Sequence, residues 1–181
     1  MGKASAAAYA SVGTLFNTQL RPTLEMVCAS SPSSAAKYQQ AFGFARSTAN
    51  WQDLVNDPRV EAIVIASPQN THRDIALTAF ALGKPVFCEK PLGASLADSV
   101  AMTQAANDSG CITMVGFNYI RTPASQYARQ LVADGRIGDV TWFRGEHTED
   151  FLADPALPGT WRTQGISSGA VGELARRMIS G

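Results

Sequence analysis

An excess of charge of either sign is the first thing this sequence lacks. Fifteen Lys and Arg stand against fifteen Asp and Glu, for a formal net charge of zero. Without a basic surplus there is no electrostatic reason to expect nucleic acid or an anionic membrane as partner. No run approaches the ~18 consecutive apolar residues of a spanning helix. The N-terminus carries no basic-then-apolar export signal, so the expected location is the cytoplasm. Histidine is scarce: His72 and His147 lie far apart and support no histidine-based metal cluster. Cys28, Cys88 and Cys111 are odd in number, and each lies in an apolar segment. Three buried, reduced thiols are expected, not a disulfide or a metal site. No Gly-Lys-Ser/Thr loop occurs, which counts against a phosphate site of that kind. There is also no internal repeat.

What is present is enough apolar material for a core. The chain has 181 residues, 45% of them hydrophobic and 17% charged, which suits one domain or slightly more. Segments alternate along it. "SAAAYASVGTLF" reads as a helix, "LEMVCASS" as a strand, and "SSAAKYQQAFG" as a helix stopped by Gly43. "WQDLVND" follows as a short helical turn, and "VEAIVIASP" as the clearest buried strand. "THRDIALTAFALG" is a helix with Thr71 as its capping candidate, and "KPVFCE" is the next strand. "SLADSVAMTQAANDSG" and "CITMVGFN" complete the series as helix and strand. Strand-helix-strand units with short, Gly-closed connections predict an α/β fold, a doubly wound parallel sheet with helices on both faces.

After Asn118 the rhythm changes. "PASQYARQLVADGRIG" is one helix, "DVTWFRGEH" alternates with period two as a strand with one wet face, and a loop-like stretch follows. We therefore expect a dinucleotide-binding-type domain over residues 1–118 and the beginning of a second domain over residues 119–181.

Ligands of open α/β sheets sit beyond the carboxyl ends of the strands. Three polar clusters fall at such ends: Ser30-Ser31, Ser67-Pro68-Gln69-Asn70-Thr71-His72, and Glu89-Lys90-Pro91. Charges at the end of a buried strand are costly unless they face water, one another or a ligand. Three clusters converging on one crevice is the arrangement of a nucleotide site.

Those residues carry a resemblance. "VIASPQNTHRDIALTAFALGKPVFCEKPLG", followed by "GFNYIRTP" and "GDVTWFRGEH", resembles the Gfo/Idh/MocA family of NAD(P)-dependent sugar and polyol dehydrogenases. The resemblance runs from about Met1 to Trp161-Arg162, with several motifs in the same order and spacing. It implies that Lys90 assists proton transfer at the reacting hydroxyl, next to Glu89 and a Lys90–Pro91 bond in the cis form. A lysine desolvated beside a positively charged ring can exchange protons near working pH. It further implies that Gly2 ends the Gly-rich turn, allowing helix and strand to approach closely. Ser67, Pro68, Asn70 and His72 would border the cofactor, with Asn118 beyond them. For His72, bonding to backbone at a helix start is the equal alternative. Trp161-Arg162 would lie near the cofactor or else merely anchor a loop, and His147 would sit on a sheet face without a catalytic part. Ser30 stands where NAD-preferring relatives often carry an acidic residue. NAD or NADP is thus expected, with a slight lean to NADP.

The departures from the family pattern set further expectations. The first strand and the first two fingerprint glycines would precede Met1, and most of the substrate domain would follow Gly181. In "GAVGELARRM", Glu173 takes the position of the family's catalytic acid and Arg177 that of its histidine base, which arginine cannot replace. The expected partners are a small polyol or sugar and, at full length, further copies of the chain, with no nucleic acid and no membrane. The leading reading is an NAD(P)-dependent oxidoreductase whose 181 residues alone are inactive. The alternative is a non-catalytic dinucleotide-binding or interaction remnant of that family.

Overall fold

The computed structural model describes residues 2–146, 154 and 156. Helix α1 (Gly2–Leu15) is followed by β1 (Met26–Cys28), α2 (Pro32–Phe42), β2 (Arg46–Thr48) and α3 (Trp51–Asn56). Next come β3 (Ile63–Ile65), α4 (His72–Ala81), β4 (Val86–Cys88), α5 (Leu96–Ser109) and β5 (Thr113–Val115). Helix α6 (Pro123–Ala133) closes the series. All strand pairs are parallel, as βαβ units require.

The local chemistry explains where the elements start and stop. Ser31, Asn50, Ser95 and Thr122 each accept a backbone N–H of the helix that follows, a contribution of about 1 kcal/mol per cap. Gly43 and Gly110 end α2 and α5 in the left-handed conformation, at φ 74° and 65°. Thr71 does not cap α4: its hydroxyl donates to the Pro68 carbonyl at 2.7 Å, within a single 3-10 turn over Gln69–Thr71.

The core lies on one side of β3–β4–β5. Ile63, Ile65, Val86 and Cys88 are buried there beneath Phe80 of α4 and Met102 of α5. With side chains alternating between faces, the row Val64–Phe87–Met114 points to the other side. That row is more open, with Val64 38% and Met114 53% exposed. β3, the clearest buried strand in the sequence, is thus buried on one face only.

Three features depart from the reading of the sequence. Strand β2 was not expected; it is short and polar, and pairs with β1 at the register Val27↔Ser47. The strands form a β1–β2 pair and a separate β3–β4–β5 sheet. β1 and β3, which the resemblance separates by one more strand, make no ladder with each other. Finally, the strand expected around Val140 to His147 is absent among the described residues: 140–146 join no ladder, and His147 lies outside them. An alternating pattern marks a strand only where a partner supplies hydrogen bonds, and α6 before it buries no residue. No described helix is long and apolar enough to cross a membrane.

β2 is held by charge as well as by the ladder. The Arg46 guanidinium donates to Glu25 Oε1 at 2.7 and 2.9 Å and also to Asp57, whose second oxygen accepts the Arg59 N–H at 2.9 Å. Lys84 Nζ donates to the carbonyls of Val55 and Asp57, both at 2.7 Å, at the end of α3. Burial lowers the pKa of Lys84, while Asp57 opposes that shift. Hydrogen bonding to Arg46, then to the Arg59 amide, holds the Asp57 carboxyl far below the usual carboxylate range. A carboxyl that is harder to protonate when folded stabilises at pH values above its unfolded pKa and loses that contribution as pH falls below about 4. Asp57→Asn should therefore lower the urea midpoint at pH 7 and flatten its decline between pH 5 and 2. An unchanged midpoint at pH 7 would contradict this.

Candidate functional site

The site is built where β3, β4 and β5 end. Ile65, Cys88 and Val115 share one row of the ladder. One step further, the Glu89 N–H donates to the Ile65 carbonyl at 2.9 Å and the Gly116 N–H to that of Cys88 at 2.8 Å. The backbone thus carries the register past the strands, so that Ser67, Glu89-Lys90 and Gly116 emerge side by side. Gly2 opens α1 at the same edge: a Cβ placed on it would stand 3.8 Å from that of Ala66. That is an ordinary contact, so close packing does not require glycine at position 2.

Glu89 and Lys90 have opposite surroundings. Glu89 is 6% exposed, and its Oε2 has no hydrogen-bond partner. Lys90 is exposed, and its ammonium makes no hydrogen bond or ion pair among the described residues; nothing in them desolvates it. Pro91 follows through a cis bond. The turn then passes so close to α5 that a Cβ on Gly93 would lie 2.8 Å from the backbone nitrogen of Ser99. On the other side a Cβ on Gly116 would come within 3.2 Å of the Glu89 carboxyl. Two glycines therefore let the backbone close around this segment.

The loop after β3 supplies the other wall. Ser67 Oγ and Thr71 Oγ1 share a hydrogen bond of 2.6 Å. Gln69 is buried and its Oε1 has no partner, whereas Asn70 is exposed. His72, 1% exposed, turns Nε2 towards the Ser67 carbonyl at 2.9 Å and Nδ1 towards that of Leu92 at 3.1 Å. Of its two readings, these contacts are those of the backbone-bonded histidine. Ser30 is exposed at the end of β1, and Ser31 beside it is engaged in capping α2. Asn118 is exposed after β5. Trp161, Arg162, Glu173 and Arg177 lie outside the described residues.

Sequence reasoning passed over Gln69, the backbone carbonyl of Leu92, and the two glycines 93 and 116. The signal for Gly93 was its place directly after Glu-Lys-Pro-Leu; Gln69 and the carbonyl carry none in a single sequence. An apolar cavity of about 190 Å³ lies between α5 and the β4–β5 pair, bordered by Phe80, Met102 and Met114. It reaches the strand ends at Cys88 and Val115 and the turn after β4 at Leu92.

The three thiols are all free; Cys88 is buried, and Cys28 and Cys111 are half-buried, so burial is complete for one only. Burial first, and the neighbouring Glu89 charge second, push the Cys88 thiol up to about 12. The thiolate is the reactive form. Native protein at pH 8 should therefore leave Cys88 unlabelled by Ellman's reagent for as long as it stays folded, with its reaction appearing only in denaturant. Mass-spectrometric detection of the Cys88 adduct in native protein would contradict this.

Comparison with known proteins agrees with this geometry. A family model described as "Oxidoreductase family, NAD-binding Rossmann fold" matches residues 2–117. Levoglucosan dehydrogenase of Pseudarthrobacter phenanthrenivorans is 38% identical over 182 residues, covering 99% of this chain and 47% of that protein. The NAD(+)-dependent scyllo-inositol 2-dehydrogenase of Bacillus subtilis is 32% identical over 137 residues, covering 75% of this chain and 40% of that protein. Among solved structures, levoglucosan dehydrogenase in complex with NADH and levoglucosan superposes with a TM-score of 0.88 at 38% identity, covering 94% of this chain and 47% of that one. An NAD binding oxidoreductase from Klebsiella pneumoniae gives 0.86 at 36% identity, covering 99% and 49%. The chain spans about half the length of these relatives.

Proposed function

The chain belongs to the Gfo/Idh/MocA oxidoreductase family with its NAD-binding Rossmann fold, and from that premise we propose that it forms the cofactor-binding part of an NAD(P)-dependent dehydrogenase of a sugar, inositol or related polyol. The observation that carries this reading is the pairing at the end of β4. A buried carboxylate with an unsatisfied oxygen stands next to an exposed ammonium with no partner among the described residues.

The residues present fit a dinucleotide. An unsatisfied buried acceptor costs about 1–3 kcal/mol, and both Glu89 Oε2 and Gln69 Oε1 are such acceptors at one strand edge. The hydroxyl and carboxamide donors of a dinucleotide would satisfy them. Glu89, Ser67, Pro68 and Asn70 would hold the nicotinamide end, with Asn118 at the margin, and Ser30 would face the ribose of the other nucleotide. The first turn of α1 at Gly2 contains no acidic residue and offers free N–H groups and a positive dipole end to the pyrophosphate. Ser30 brings no carboxylate to repel a 2′-phosphate, so either NAD or NADP is admitted.

When bound, the nicotinamide accepts or returns the hydride. The chain's own chemistry is the proton. Oxidation of an alcohol releases the hydroxyl proton as the hydride leaves carbon, and we give Lys90 Nζ, as the neutral amine, the role of taking it and, as the ammonium in the reverse direction, of returning it. Pro91 and Gly93 limit the freedom of the turn that aims it. Glu173 is the second acid of the proposal, while Trp161 and Arg162 would approach the cofactor from the second domain, which we assign from residue 119 onward. The natural partners are a small polyol and further copies of the same chain, in the cytoplasm.

In the intact natural protein, Lys90→Ala should lower kcat by roughly 10²–10⁴-fold. The Kd of the dinucleotide, read by fluorescence titration, should change far less. Near-normal kcat would remove Lys90 from proton transfer. Residues 1–181 expressed alone should show no polyol-dependent reduction of NAD or NADP, because their sheet is divided between β1 and β3. Turnover by a folded monomer of that length would defeat this, and dinucleotide binding without turnover would be the behaviour of a non-catalytic remnant.

A further inference from the structure

The geometry points to His72 as the positioning residue for Lys90. This inference rests on the reading of Lys90 as the proton-transfer group. His72 begins α4 and is among the largest side chains that are fully buried. Its ring spans two loops that are distant in sequence. Nε2 meets the carbonyl of Ser67, two residues beyond β3, at 2.9 Å. Nδ1 meets the carbonyl of Leu92, two residues beyond Lys90, at 3.1 Å. Cys88 Sγ, two residues before Lys90, lies 3.3 Å from the same Nδ1.

With the ring proton on Nε2 the imidazole donates to Ser67 on one wall of the crevice and faces the Cys88 thiol on the other, and with the proton on Nδ1 it donates to Leu92. Lys90 lies midway between Cys88 and Leu92. Its ammonium has no bond of its own among the described residues, so its position follows that of the backbone beneath it. Cys88 stays a thiol when folded, because burial and the Glu89 charge oppose its ionisation, and it can donate S–H to Nδ1 when Nε2 carries the ring proton. In the other tautomer, Nδ1–H donates to Leu92. Either tautomer keeps the ring bonded to the Cys88–Leu92 segment. A leucine in this place would fill similar volume and hold neither carbonyl.

The test is a double-mutant cycle in the intact natural protein: wild type, His72→Leu, Lys90→Ala and the double variant, each checked for folding by thermal melt. His72→Leu should lower kcat roughly 10- to 100-fold, the scale of a 1 Å misplacement, with dinucleotide Kd and polyol KM changed much less. In the Lys90→Ala background the same substitution should have no further effect on kcat, since the group it positions is gone. His72→Gln, which keeps one polar end, should recover part of the loss. If His72→Leu does not fold, His72→Gln takes its place in the cycle. Wild-type kcat in a folded His72 variant, or an equal loss with and without Lys90, would overturn the inference. Near-normal kcat in Lys90→Ala alone would instead remove the proton-transfer reading on which it rests.

Discussion

Ile65, Cys88 and Val115 stand level in one parallel ladder, and the site depends on that row. Parallel strands end on the same side of a sheet, so whatever follows each strand is delivered to one edge. Register decides how closely the three continuations meet. With Glu89 bonded to Ile65 and Gly116 to Cys88, the next residues cannot diverge until the backbone has placed them side by side. A slip of one residue would turn Glu89 and Lys90 to opposite faces from those they occupy.

Packing then separates the two neighbours chemically. Glu89 is drawn under the edge, where Gly116 gives its carboxyl room and where one oxygen lacks a donor. Lys90, one residue on, is in water. A buried charge without a complete set of partners is unfavourable for folding alone, and such a group at a strand edge is better explained by a ligand than by stability. The same charge acts on the core, keeping the Cys88 thiol protonated beneath it.

The two walls of the crevice are not independent. The loop after β3 bonds internally through Ser67 and Thr71, while His72 reaches beneath it to the turn that carries Lys90. Gly93 presses that turn against the first residues of α5. Each contact is modest, but together they leave the Lys90 backbone little freedom before any ligand arrives.

Much of this was legible in the linear chain. Alternating apolar runs and Gly-closed helices specify parallel βαβ units, and polar clusters after three of the runs specify the edge, because strand direction in such units is set by connection length and handedness. Helix caps were less legible: Thr71, the residue read as a cap, donates to Pro68 instead, while Ser31, Asn50, Ser95 and Thr122 do the capping. Strand β2 was not legible, since Arg46-Ser47-Thr48 has no apolar face and is a strand only through β1 and the charges of Glu25 and Asp57. Residues 140–146 are the reverse case, a strand-like pattern without a ladder. The sequence by itself determined which residues reach the edge. Only the tertiary structure decided that Glu89 is buried and Lys90 is not, and that the His72 ring lies between the Ser67 and Leu92 carbonyls, because these follow from distances between segments that no spacing along the chain encodes.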